Sequence, residues 1–349
     1  MSIKVIKRWS NKSYDDIIDV RTPFEFSEDH IPSAINLPVL DNSERVFIGK
    51  KYKQESPFIA KKIGAAIVSE NISKHIKNSL LKKPGHWKPL IYCWRGGQRS
   101  KAFATVLSEI GWQVTILDGG YKTYRKKIIT NLNQIIKSYS FIVLKGKTGT
   151  AKTSILNKLE KSKKVGLINL EKLANHKGSL LGNIPNVIQP SQKYFESLIY
   201  HKLKEFKCKK NILIESESSK IGEVFLPKEL IKKIKNSPFI EIAASVVNRS
   251  NFLCKDYEEF LKEKDSFKKF FLHANKKLGY KIVGEWKKLY NDKNWTSLAA
   301  KLIREYYDPL YEYNNKNSRK LIEKINVDSL SEKSITKLCK YLENSYTKF

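Results

Sequence analysis

The sequence predicts an α/β chain in two parts, the second built on a parallel sheet and running out into a helical C-terminal region. Three observations carry this reading. An apolar run at 89–92 leads into a glycine-bearing loop and then into a stretch that should turn helical near Ser100. A second strand–loop–helix succession occupies 141–159. Beyond it, short apolar runs at 164–170, 211–215 and 239–244 alternate with amphipathic stretches, the pattern of buried parallel strands joined by helices.

Taken in chain order, Pro89-Leu-Ile-Tyr92 reads as a strand delivering the loop Cys93-Trp-Arg-Gly-Gly-Gln-Arg-Ser100. Residues 121–138 carry Ile128, Ile129, Leu132, Ile135 and Ile136 at i, i+1, i+4, i+7 and i+8, which predicts an amphipathic helix leaving the first part. Phe141-Ile-Val-Leu-Lys145 is the next strand, and a helix follows its loop over 154–159. From Asn251 onward the pattern is mainly helical, ending in Tyr306-Tyr-Asp-Pro-Leu-Tyr311 and a polar C-terminal helix. Neither internal repeats nor low-complexity segments appear.

Sixty-six Lys and Arg against 35 Asp and Glu give a formal net charge of +31 over 349 residues. That exceeds what solubility requires and points to a polyanionic partner. A lysine-rich composition without such a partner is the competing explanation, since many of these charges are scattered along polar stretches such as 255–277. Aromatics mingle with cations in Trp286-Lys-Lys-Leu-Tyr290 and Arg304-Glu-Tyr-Tyr-Asp308. Such mixtures suit RNA with splayed bases, yet the same rings fall at helical spacing and fit a hydrophobic core. No apolar run approaches the ~20 residues of a membrane helix and no signal-peptide pattern opens the chain, so a cytoplasmic protein without membrane partners is expected. Cys93, Cys208, Cys254 and Cys339 show no paired spacing, so neither a disulfide framework nor a metal site is expected among them.

Cys93 is the leading candidate for catalysis. Backbone N–H groups of a glycine loop, the start of a helix, and the charges of Arg95 and Arg99 all favour a thiolate there. Arg95, Gly96, Gly97 and Arg99 together form a candidate anion cradle. The plain alternative is a small buried residue at a strand end.

The second loop, Gly146-Lys-Thr-Gly-Thr-Ala-Lys-Thr153, has the strand and helix flanks in which a phosphate-binding loop is credible. Gly146, Gly149, Lys152 and Thr153 are its candidate phosphate-binding residues, with the Thr153 hydroxyl available to magnesium. Ala151 stands where the last glycine of G-x4-G-K-[ST] belongs, which is tolerable if its φ is negative. Glu215-Ser-Glu-Ser-Ser-Lys220 lies at the carboxyl end of a predicted strand, where open sheets bind ligands. Glu215 and Glu217 are therefore a candidate acidic site.

The Cys93 loop, together with Asp19-Val-Arg-Thr-Pro upstream and Gly111-Trp-Gln-Val-Thr-Ile-Leu-Asp-Gly-Gly-Tyr121 downstream, resembles a rhodanese domain. Its loop has five residues between Cys93 and Arg99, one more than in many rhodaneses and equal to the related phosphatases. Cys93-Trp-Arg-Gly-Gly-Gln-Arg-Ser100, Leu170-Glu-Lys-Leu-Ala-Asn-His-Lys-Gly-Ser179, Glu215-Ser-Glu-Ser218 and Tyr307-Asp-Pro-Leu-Tyr311 extend the resemblance over almost the whole chain. They resemble the tRNA 2-selenouridine synthase family. Ser216 and Ser219-Lys220 depart from the glycine and arginine expected there. The resemblance implies a rhodanese-like domain at 1–125, a connecting helix at 126–140, and a P-loop-like α/β domain with a helical C-terminal extension at 141–349.

The family resemblance also implies a chemistry. Wobble 2-thiouridine in tRNAs for lysine, glutamate and glutamine is S-geranylated from geranyl diphosphate, and selenium from selenophosphate then replaces the alkylated sulfur. The phosphate loop would hold the diphosphate, with magnesium as a candidate helper. Cys93 would serve the selenium step, holding a perselenide or assisting attack, while Arg95 and Arg99 position selenophosphate delivered by a supplying enzyme. The alternative is a rhodanese-type sulfurtransferase coupled to an ATP-dependent P-loop domain. A noncatalytic RNA-binding protein is a third reading, opposed by the intact Cys-x5-Arg loop.

Overall fold

The structure, a computed structural model, describes residues 3–9, 13–162, 165–178, 182, 187–206, 211–258, 261, 267–314 and 320–346. Cys208 lies outside them; Cys93, Cys254 and Cys339 carry free thiols. The chain divides into two compact units, one of residues 1–132 with 190–201, the other of 133–189 with 202–349.

Unit one contains β1 (Lys4–Ile6), β2 (Asp16–Asp19), α1 (Pro23–Glu28), β3 (Ala34–Asn36), α2 (Asn42–Gln54), α3 (Pro57–His75), β4 (Pro89–Tyr92), α4 (Gln98–Glu109) and β5 (Thr115–Leu117). The strands form one all-parallel sheet in the order β1-β5-β4-β2-β3. Ile18, Ile91 and Ile116 sit opposite one another across β2, β4 and β5, and pack with Phe103 and Leu107 of α4. Strand β4 is buried along its whole length, as a central parallel strand covered on both faces must be.

Helix α5 (Gly120–Lys137) follows; it buries Ile128, Leu132 and Ile136, while Ile129 of the predicted stripe is 63% exposed. Its N-terminal residues belong to unit one, as do the first ten residues of the later helix α8.

Unit two contains β6 (Ser140–Gly146), α6 (Lys152–Ser162), β7 (Leu167–Ile168), α7 (Leu170–Ala174), the end of α8 (Gln192–Glu205), β8 (Asn211–Glu215), the small hairpin β9 (Lys220–Ile221) and β10 (Val224–Phe225), α9 (Lys228–Asn236), β11 (Phe239–Ala243) and α10 (Val246–Asp256). Its sheet is also parallel, in the order β12-β11-β6-β8-β7, with β12 spanning Leu321–Asn326. The mainly helical tail expected after Asn251 thus returns an edge strand to the sheet. Leu-Ile-Glu-Lys-Ile-Asn is mostly exposed and alternates polar with apolar residues, so it lacks the apolar run that marks the central strands. The expected strand at 164–170 is shorter than its apolar run because Asn169 caps α7, accepting the Lys172 N–H at 2.9 Å.

Between α10 and β12 lie α11 (Lys268–Leu278), α12 (Tyr280–Asn291), α13 (Trp295–Leu302), a π-helical turn (Ile303–Tyr307) and α14 (Asp308–Asn314); α15 (Glu332–Tyr346) closes the chain. Here the aromatic question resolves toward core. Trp286 is fully buried among Phe270, Val283, Leu298 and Tyr306, and its indole N–H donates to Glu305 at 2.7 Å. Among the described residues no helix is long and apolar enough to cross a membrane.

Candidate functional site

Each unit carries a site at the carboxyl end of its central strand, where parallel sheets gather ligands. In unit one, Cys93 follows β4 and is 3% exposed. The Gly97 N–H donates to its sulfur at 3.2 Å, and the Ser100 hydroxyl lies 3.2 Å away. Helix α4 starts at Gln98, so its positive end faces the same atom.

The loop is held from behind. Backbone N–H groups of Tyr121 and Lys122 donate to the carbonyls of Cys93 and Trp94 at 2.8 and 3.0 Å. Gly120, at φ +53°, makes this approach possible, since a Cβ there would lie 2.2 Å from the Cys93 carbonyl. Gly96, at φ +66°, is similarly confined by the Leu117 carbonyl. Both glycines are thus required by the close approach of two backbones.

Sequence reasoning placed Arg95 and Arg99 on equal terms, and the structure separates them. Arg95 is exposed at the mouth of the site. Arg99 is committed to Glu25, with bonds of 2.6 and 3.1 Å, and this pairing holds the Glu25 carboxyl below its ordinary range against the opposing effect of burial. Its charge is therefore compensated and its fork fixes α1 rather than pointing freely at an anion. Arg21 takes a place beside the site that the sequence did not reveal. It is buried, bound to Asp19, and lies 4.0 Å from the Tyr121 ring centre.

In unit two, β6 ends at Gly146 and α6 begins at Lys152, with the phosphate loop between. Lys152 Nζ donates to the Gly146 carbonyl at 2.6 Å, closing the loop upon itself. Arg249 braces it from α10, donating to the Thr148 carbonyl at 2.7 Å and to both Asp308 oxygens at 2.6 and 3.0 Å. Asp308 of the Tyr307-Asp-Pro-Leu-Tyr311 motif is therefore an anchor of the loop. The π-helical turn before it sends Tyr306 into the core, while Tyr307 and Tyr311 line a cleft of about 490 Å³ beside the loop.

Ala151 adopts φ +59°, so the condition under which its methyl group would be harmless is not met. An alanine in this left-handed region costs about 1–2 kcal/mol. Glycine would relieve that, but would lose about 0.8 kcal/mol of burial and about 0.4–1 kcal/mol through the more flexible unfolded chain. These effects nearly cancel. Ala151→Gly should leave the thermal midpoint within a few degrees of wild type, whereas Ala151→Val should lower stability by about 2 kcal/mol or more. Paired denaturant melts check both.

Thr153 donates its hydroxyl to Glu171 Oε2 at 2.6 Å, and the Glu171 N–H donates to Glu215 Oε1 at 2.6 Å. Glu171, Glu215 and Glu217 each bring an oxygen within 4.8 Å of the others. Glu171 was missed as a site residue, although it lies in the Leu170–Ser179 motif. Desolvation by burial raises all three carboxyls; repulsion from Glu171 adds to it at Glu215 and Glu217, and repulsion from Asp256 adds to it at Glu171; Glu217 is pushed up to about 8. Glu215 Oε2 is buried with no hydrogen-bond partner. Gly178, at φ +67°, lets the backbone approach this trio, since a Cβ there would lie 2.6 Å from Glu171 Oε1 and 2.9 Å from Glu217 Oε2. Three oxygens, one of them orphaned, and an adjacent hydroxyl make a donor set fitted to a hard divalent cation.

Comparison with known proteins agrees with both halves. Residues 2–127 match the rhodanese-like domain family, and residues 139–345 match the family described as tRNA 2-selenouridine synthase AAA domain. The chain is 32% identical to a tRNA 2-selenouridine synthase of Sulfurovum sp., over 85% of this chain and 88% of that protein. It is 32% identical to the Shewanella denitrificans synthase over 85% and 87% of the two chains, and 29% identical to that of Nitrosomonas europaea over 84% and 88%. With a matched region of this extent and relatives aligned over 84–88% of each chain, the chain belongs to the tRNA 2-selenouridine synthase family.

Proposed function

We propose that this enzyme converts wobble 2-thiouridine to 2-selenouridine in two steps, S-geranylation and then selenium exchange, on tRNAs for lysine, glutamate and glutamine. The observation that carries the reading is the pairing, in one chain, of a cysteine in an anion-cradling loop with a phosphate loop flanked by three carboxylates. In the first step the thiocarbonyl sulfur attacks C1 of geranyl diphosphate, the C–O bond breaks, diphosphate leaves, and N3 of the base gives up its proton. Lys152 and the loop N–H groups take up the charge of the departing diphosphate once Lys152 releases the Gly146 carbonyl. Magnesium held by Glu171, Glu215, Glu217 and Thr153 would supply further charge neutralisation there.

Alkylation makes C2 electrophilic and turns sulfur into a leaving group. The electron count then selects the role of Cys93. Making a perselenide from a cysteine thiolate and selenophosphate with phosphate as by-product requires an oxidant, whereas displacement at C2 requires none. In this scheme the Cys93 thiolate displaces geranyl thiolate, selenium of selenophosphate displaces Cys93, and water cleaves the P–Se bond to release phosphate. The exposed Arg95 and the loop glycines Gly96 and Gly97 orient the anion. Nucleoside mass spectrometry of 2-thiouridine tRNA, with each donor alone and then both, tests the scheme. Geranylated nucleoside with the first donor and 2-selenouridine only with both support it; ATP consumption with sulfur transfer to a small acceptor would replace it with the sulfurtransferase alternative.

The raised carboxyls give a further expectation. Below about pH 8 a cation must displace a proton from Glu217, and the raised Glu215 carboxyl adds to that demand, so magnesium affinity should rise by at least about tenfold per pH unit between pH 6 and 8. The sign for stability is opposite. A carboxyl raised by folding binds its proton more tightly in the native state, so the ion-free protein should lose stability between about pH 4.5 and 8. Calorimetric titration in buffers of different ionisation enthalpy counts the released protons, and a flat pH profile would remove Glu217 from the cation site.

A further inference from the structure

The cavity above Cys93 is far larger and more apolar than its small anionic reactant needs. It encloses about 1160 Å³. Selenophosphate has five heavy atoms and fills on the order of 100 Å³, judged against the ~30 Å³ occupied by one water. A compact anion also gains nothing from apolar walls, which only strip its hydration. Yet Leu40, Ile48, Tyr52, Ala65 and Val68 face this space from the segment before α2 and from α2 and α3. Gly64 of α3 supports that wall, with Ile48 of α2 within 3.7 Å of where its Cβ would stand. Cations prevail in the rest of the lining: Glu25 and Glu28 are paired with Arg99 and Lys193, which leaves Arg45, Lys53, Lys61 and Arg95 in excess. Apolar walls, an excess of cations and a cysteine together match a ligand with a hydrocarbon chain on a phosphate-bearing backbone.

We infer that this cavity binds the geranyl chain of the S-alkylated wobble base, with the RNA phosphates meeting those cations and C2 presented to Cys93. The assignment rests on the geranylation reading and adds to it a place and a consequence. A base with a bare sulfur gains no contact with the wall, so the α2–α3 hairpin selects alkylated RNA for the selenium step. The thiol released at C2 departs along the same wall.

The test uses the full chain and an anticodon stem-loop RNA carrying either 2-thiouridine or S-geranyl-2-thiouridine, without selenophosphate. Wild type should bind the geranylated RNA about tenfold or more tightly than the thiouridine RNA. Ala65 is exposed on α3, so Ala65→Trp, which fills the cavity, and Ala65→Asp, which makes it polar, should fold normally. Both should erase the preference while leaving binding of 2-thiouridine RNA within about twofold of wild type. An unchanged preference in both variants, or no preference in wild type, overturns the assignment. Mass spectrometry of the wild-type protein with geranyl diphosphate separates the two levels. Failure to form the geranylated nucleoside refutes the geranylation reading, while formation of that nucleoside with unaltered discrimination in the variants refutes only the cavity assignment.

Discussion

Cys93→Ala is expected to lower conversion of pre-geranylated tRNA to 2-selenouridine by about 10³-fold or more, while geranyl transfer to 2-thiouridine survives at a substantial fraction of wild type. The sulfur is placed by the Gly97 N–H and by backbone clamps on the Cys93 and Trp94 carbonyls. The two carbonyl clamps do not involve the cysteine side chain, so alanine gives up only the Gly97 N–H and Ser100 contacts to sulfur and should leave the loop in place. The change removes a nucleophile and little else. Single-turnover assays of the two half-reactions check this, since loss of both in the same variant would refute separate roles for the two sites.

Lys152→Ala should have the complementary effect. Loss of the ammonium beside the leaving diphosphate is expected to slow geranyl transfer by about 10²–10³-fold, with selenation of supplied geranylated RNA within a few-fold of wild type. In the resting loop Lys152 contacts the Gly146 carbonyl, which is a weak structural commitment compared with the Arg249–Asp308 brace. Lys152→Arg would keep the charge but carries a broader head into a loop closed at 2.6 Å, so partial rescue is the expected result. A wild-type rate in Lys152→Ala would take diphosphate binding away from this loop.

Both candidate loops were legible because their residues are contiguous. Eight residues from Cys93 to Ser100 and eight from Gly146 to Thr153 contain the candidate nucleophile, the cations and the glycines, with strand and helix on either side. What stayed hidden depends on partners brought together from afar. Arg99 looked like a ligand-binding cation until Glu25, 74 positions away, occupied its fork. Glu171 looked like part of a family signature until its N–H met Glu215, 44 positions away. The mostly exposed edge strand β12 has no apolar run to announce it. The α2–α3 wall of the Cys93 cavity was invisible because Gly64 and Ala65 say nothing until a facing helix shows what they make room for.

The return of residues 190–201 to unit one bears on how this architecture can be inherited or engineered. Within that unit, Tyr194 stacks on His30 at 4.0 Å between ring centres, Glu196 pairs with Arg125, and Lys193 pairs with Glu28. A rhodanese-like cassette cut at the end of α5 would leave those partners behind. The unit is therefore not a portable module. Recombination at one junction would yield a first half missing part of its packing and a second half carrying ten orphaned residues of α8, so successful chimeras must exchange two segments of the gene together.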